Sequence, residues 1–124
     1  MQIIRKGDTP TLDVTDAPLF YGGKVTRQQI VDSEKTDQFT LTIVSFYDGA
    51  KNYFHTHTSD QILFVTEGVG IVADETSELK MEVGDTALIP AGEKHWHGAS
   101  EGNQFSHISL TRADSVTEIF PIKP

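Results

Sequence analysis

Turn chemistry interrupts this sequence every few residues, and that spacing limits what the chain can fold into. Asp48-Gly49, Glu67-Gly68, Asp74 to Ser77, Val83-Gly84-Asp85, Pro90-Ala91-Gly92 and Ala99 to Asn103 combine the residues that reverse a chain. Between these breaks, and just ahead of them, lie short runs with strand character. They are Phe39 to Phe46, Gln61 to Thr66, Val69 to Ala73, Glu78 to Glu82, Thr86 to Ile89, His95 to His97 and Gln104 to Thr111. No stretch keeps a helical apolar stripe through three turns, so long helices are not expected. Many short strands in 124 residues predict one all-β domain, a sandwich or small barrel, and a 37% hydrophobic share supplies its core. Residues 1–22, broken by Pro10 and Pro18, read as an N-terminal arm or edge segment, with the barrel over residues 23–124. Pro121 and Pro124 argue against a long final strand.

Composition removes whole classes of chemistry. Without Cys there is no disulfide framework, thiolate nucleophile, iron–sulfur cluster or Cys-type zinc finger. Ten basic residues, scattered against 18 acidic ones, leave a net charge of −8, so nucleic acid is not an expected partner. The best apolar run is Ile62-Leu63-Phe64-Val65, far too short to span a membrane, and residues 1–7 hold no signal-peptide core. The expected location is the cytoplasm. Composition does not explain why all five His fall between residues 55 and 107, four of them in two His-x-His pairs.

On a strand, residues two apart share a face, so His55 and His57 can aim at one point, as can His95 and His97. Gln61 can add an amide oxygen if its strand lies nearby, and His95 from a later strand closes a four-ligand shell. Imidazole nitrogens plus one oxygen suit a divalent transition metal and leave positions open for water or substrate. Each residue also has a plainer reading. His97 is open between a ligand-supporting and a core or rim role, and His107, between Ser106 and Ile108, is by default structural. Trp96 faces away from its two His neighbours and reads as packing, while Asp74, Glu75 and Glu78 read as a solvated turn.

Gly49-x5-His55-x-His57-x3-Gln61-x6-Gly68 resembles the first cupin motif, and Gly84-x5-Pro90-x-Gly92-x2-His95 resembles the second. Together they cover residues 49–68 and 84–99, and they imply an antiparallel jelly-roll β-barrel with a metal inside. Gln61 departs from the usual Glu of the first motif, and Ala99 from the usual Asn of the second. Three neutral imidazoles and a neutral amide leave the metal charge uncompensated, which favours Lewis-acid chemistry. Within the superfamily, His55-Thr56-His57 with Gln61, the run from Gly92 to Ala99, and His107 on a later strand are similar to the manganese-dependent bacterial cupin hydroxynitrile lyases. That resemblance implies His55, His57, Gln61 and His95 as metal ligands and His107 as acid/base, with His97 a second candidate for proton transfer. It implies manganese, although iron, zinc, nickel and cobalt also suit such donors.

The expectation is a metal-dependent lyase-type enzyme acting on a small hydroxylated or carbonyl substrate. A dioxygenase with a three-His iron centre and a non-catalytic binding module are the alternatives. Barrels of this size commonly shield their edges by pairing, so a homodimer is expected, with the arm able to add a strand to a neighbour.

Overall fold

The computed structural model describes residues 1–123; Pro124 lies outside the described residues. Among these, twelve strands form and no α-helix does. They are β1 (Leu12–Asp13), β2 (Phe20–Tyr21), β3 (Val25–Val31), β4 (Phe39–Phe46), β5 (Lys51–Asn52), β6 (Phe54–His57), β7 (Gln61–Ala73), β8 (Glu78–Glu82), β9 (Thr86–Ile89), β10 (Trp96–Ala99), β11 (Phe105–Arg112) and β12 (Thr117–Phe120). All pairings are antiparallel, and the main path runs β1-β3-β4-β11-β7-β10-β5-β2. The sheet curls into the jelly-roll barrel expected from the sequence. The last strand is short, as its prolines predict, and it pairs with β6.

The segment 1–22 contributes both edges of this path. Leu12–Asp13 pairs with β3, and Phe20–Tyr21 pairs with β5. Gln28, on the outward face of β3, donates from Nε2 to the carbonyl oxygens of Lys6 and Thr9, which ties the arm to that strand.

The sequence predicts separate strands at Gln61–Thr66 and Val69–Ala73, broken at Glu67-Gly68. The structure instead has one 13-residue strand, β7, that belongs to both halves of the barrel. Its first half pairs with β11 and β9, and its second with β8 and β10. The apparent break is a β-bulge: Ser106 pairs with Glu67 while the next residue, His107, pairs with Val65, leaving Thr66 as the extra residue. Gly68 takes φ +73° beside it, and a Cβ there would collide with the Gln104 carbonyl. The bulge reverses side-chain parity. Gln61, Leu63 and Val65 face inward before it, and Gly70 and Val72 after it, so Val72 meets His97 across the β7–β10 pair on the interior face.

One end of the interior is a dry core of Val25, Val44, Phe46, Ala50, Val65, Met81, Ala99 and Phe105. Phe46 stacks on Phe105 and also meets the rings of His97 and His107, at centroid distances of 5.8 and 5.7 Å. The apolar half of the barrel is therefore the floor on which the histidines stand. The other half is hollow.

Candidate metal centre

Five histidines and Gln61 meet inside the barrel, brought there from four different elements. His55 and His57 come from β6, and His97 from β10. His107 comes from β11 and Gln61 from the start of β7. His95 lies just before β10, where it forms an isolated bridge with His55: each backbone N–H donates to the other's carbonyl, at 2.9 and 3.1 Å. Gln61 reaches the cluster from across the barrel, because β6 pairs with β12 and not with β7. Gly92 supports the approach; at φ +80° it donates its N–H to the His57 carbonyl at 2.9 Å.

Ring orientations are set by hydrogen bonds on the far side of each imidazole. His55 Nδ1–H donates to the Tyr53 carbonyl and His95 Nδ1–H to the Glu93 carbonyl, both at 2.8 Å. His57 Nδ1 meets the Thr117 hydroxyl at 2.9 Å. These contacts leave Nε2 of each ring free, the usual arrangement around a histidine-bound metal. His57 Nε2 is buried with no hydrogen-bond partner. The Gln61 amide, its Nε2 donating to Ser109 Oγ at 2.9 Å, turns Oε1 to within 3.1 Å of His95 Nε2. In that orientation two lone pairs face each other, an arrangement a cation satisfies; turned by half, the amide would donate to His95 instead. An orphaned buried nitrogen and two opposed acceptors fit a metal ion.

Burial also keeps these rings neutral, which is the form that can bind metal. Desolvation, reinforced by the neighbouring His95, pushes His55 down to about 3 and His57 to about 4. His95 is lowered chiefly by burial. His97 is lowered well below the ordinary range by desolvation first and then by the other histidines, and burial takes His107 down to about 4.

Among the described residues, His55, His95 and His97 offer ring nitrogens that all lie within 4.8 Å of one another, enough to hold an ion. This closest trio contains His97 where the sequence reading has His57. His57 remains adjacent, its ring centroid 4.9 Å from His55 and 5.5 Å from His95. The hydrogen bonds of His97 distinguish it from the others. Its Nδ1 lies 3.0 Å from His107 Nε2, and its backbone N–H donates to Asn52 Oδ1 at 2.8 Å. The amide nitrogen of Asn52 sits against the same ring, at 3.2 and 3.3 Å from its two nitrogens. Since His107 Nδ1 is buried without a partner, the less costly tautomer has His107 Nε2–H donating to His97 Nδ1. That places the remaining proton of His97 on Nε2, where a metal would need a lone pair.

Sequence reasoning missed Asn52, Thr117 and Ser109. Their signal was a polar residue at an inward strand position, visible only once register is known. Trp96 is buried on the opposite side from its His neighbours, and Asp74 caps its own turn by accepting from Thr76 and Ser77.

Four of the histidines, His55, His57, His97 and His107, line a cavity of about 270 Å³ together with Arg27, Gln29, Thr42, Asn52 and Ser109. A second groove of about 430 Å³, between β8 and β9, touches only His95 of the cluster. No helix of the structure is long and apolar enough to cross a membrane.

Comparisons with known proteins place the chain in a family. The chain is 37% identical over 68 residues to an (R)-mandelonitrile lyase of Granulicella tundricola, covering 54% of this chain and 52% of that protein. It is 29% identical over 100 residues to an acireductone dioxygenase of Sulfurihydrogenibium, covering 77% of this chain and 53% of that one. The chain thus spans about half the length of these two curated relatives. Among solved structures, a cupin-like protein from Thermotoga maritima superposes with a TM-score of 0.78 at 26% identity, over 97% of this chain and 89% of that one. The polyketide cyclase RemF of Streptomyces resistomycificus shares the fold with a TM-score of 0.85 at 16% identity, over 99% of this chain and 87% of that one. The cupin domain model (Cupin_2) matches residues 42–108, from the middle of β4 through His107, and with more than half of its length in that match the chain belongs to the cupin family.

Proposed function

We propose that this protein is a metal-dependent enzyme of lyase type, acting on a small hydroxylated or carbonyl compound. His55, His57, Gln61 and His95 would hold a divalent transition metal, with manganese favoured by resemblance to the hydroxynitrile lyases. The observation that carries the reading is the convergence of acceptor atoms: three Nε2 positions left free by their Nδ1 contacts, and the Gln61 Oε1 opposed to one of them. Such a metal, lacking a carboxylate ligand, would supply strong polarisation of a substrate oxygen. By the resemblance to the hydroxynitrile lyases, His107, a residue of the cavity wall whose ring is held by its Nε2 contact with His97 Nδ1, would take the substrate proton. It would then return that proton to the leaving carbon group. Similarity to a mandelonitrile lyase supports carbon–carbon cleavage of this kind.

The acireductone dioxygenase similarity, which spans more of this chain, favours oxygen chemistry at the same residues as the second reading. Protein loaded with manganese or iron, assayed with mandelonitrile with and without oxygen, separates them. The lyase reading expects benzaldehyde at equal rates in both, and none from His55→Ala. Turnover that stops without oxygen indicates the dioxygenase. Metal retained with no turnover of mandelonitrile or an acireductone turns the reading toward a binding module.

A further inference from the structure

The cavity lined by His55, His57, His97 and His107 has an unusual charge pattern for this chain. Of the 18 Asp and Glu in a protein of net charge −8, none lines it. Its only fixed charge is Arg27, on β3. Strand alternation explains how Arg27 comes to be there: its neighbour Gln28 is on the outward face, bonded to Lys6 and Thr9, so Arg27 and Gln29 fall on the inward one. In the inward rows across the sheet, Arg27 pairs with Val44, which pairs with His107, and Gln29 pairs with Thr42, which pairs with Ser109. Among the described residues Arg27 forms no ion pair. Two strand spacings, about 10 Å, separate its backbone from that of His107.

Val44 lies directly between them, and hydroxyls flank that row. Thr40, Thr42, Ser109, Thr111, Ser115 and Thr117 line the same cavity. Several of these hydroxyls are already paired, Thr40 with Thr111, Ser109 with Gln61 and Thr117 with His57, but each keeps further lone-pair capacity, and the Arg27 guanidinium has no anionic partner among the described residues. We propose that the natural substrate is a small hydroxylated carboxylate, its carboxylate held by Arg27 at the mouth and its hydroxyls directed along the Thr and Ser rows to the histidine cluster. A guanidinium presents two parallel N–H donors to a carboxylate, and hydroxyl rows can both donate to and accept from a polyol. At about 270 Å³ the cavity suits a metabolite and not a drug-sized molecule. The proposal gives the substrate class of the metal-dependent reading and rests on it for the reacting end of the molecule.

Calorimetric titration of the metal-loaded chain tests it, using L-threonate and its neutral counterpart threitol, with glycerate and gluconate as shorter and longer acids. At least one acid is expected to bind ten-fold or more tightly than threitol, with the advantage shrinking as salt is raised. Arg27→Gln should abolish the advantage and Arg27→Lys should keep part of it, both with unchanged melting temperature. Equal affinities for acids and threitol, no binding by any acid, or an advantage that survives Arg27→Gln overturns the proposal. Metal titration of the same samples keeps the two readings apart. A parent chain that binds metal without preferring acids defeats only this proposal. A chain that takes up no metal defeats the functional reading, and the acid preference is then measured on the metal-free protein.

Discussion

His57 and His97 are two strand positions with opposite hydrogen-bonding states. One presents a buried Nε2 with nothing to bond; the other is engaged by His107 and Asn52. His57→Ala should therefore reduce metal affinity by two orders of magnitude or more, whereas His97→Ala should retain the metal and lose turnover. Thr117→Val, which removes only the partner of His57 Nδ1, should weaken binding by about 10–100-fold. Competition with a chromophoric chelator measures all three; metal loss in His97→Ala with retention in His57→Ala would show that the closest trio is the ligand set. The depressed pKa values also fix the sign of an acid effect. His55, His57 and His107 titrate near 3 to 4 when folded and near 6.5 when unfolded, so the unfolded chain binds more protons between those limits. Stability is full above pH 6.5 and falls as pH drops toward 4, by up to about 1.4 kcal/mol per pH unit for each fully buried His. Urea unfolding of the chelated protein at pH 7.5, 6 and 5 should show this decline, and equal midpoints would refute it.

The bulge shared by β7 and β11 is the element on which the site depends. It lets Gln61, on an odd inward register, and Val72, on an even one, face the same interior, and with Val72 goes His97. Gly68→Ala should cost about 2–4 kcal/mol, because a Cβ would meet the Gln104 carbonyl at a left-handed φ. It should also disturb the His107 ring resonances, since His107 sits at the register shift. An NMR spectrum with those resonances unmoved would mean that the bulge carries no information to the site. Glu67-Gly68 looks like a strand end in sequence because a bulge and a turn use the same residue types. The strand pattern, the barrel class and the inward pairing of His55 with His57 were legible because alternation is a local property. Asn52 and Arg27 were not, since which face a polar residue takes depends on partners far away in sequence: Val44 for Arg27, and Lys51 with Gly98 for the strand that carries Asn52. The candidate ligands were legible by spacing, but the contacts to Thr117 and His107 that separate His57 from His97 are encoded by no spacing.

At the scale of the whole molecule, the charge is unevenly spread. The outer face of the sheet opposite the cavity is apolar in two rows: Leu88, Ile62, Leu110 and Leu41 pair in sequence across β9, β7, β11 and β4, and Phe64, Ile108 and Ile43 pair beside them. Leu88, Phe64 and Ile62 are 67%, 41% and 37% exposed. Asp60 and Arg112 stand only at the edge of this face. Two copies of a chain with net charge −8 repel one another over most orientations, but least through a face where Asp60 is matched by Arg112, and apolar rows on a two-fold axis complement themselves. We propose that the expected homodimer would join back to back through this sheet, leaving both cavity mouths open. Sedimentation equilibrium at micromolar concentration should give twice the 13.7 kDa chain mass, and Ile62→Arg with Leu88→Arg should return it to the monomer with metal binding intact. A monomer throughout would remove the dimer. A dimer that survives the double substitution but dissociates when residues 1–11 are deleted would instead place the contact on the N-terminal arm, through which a strand added to the neighbour's sheet would hold the pair together.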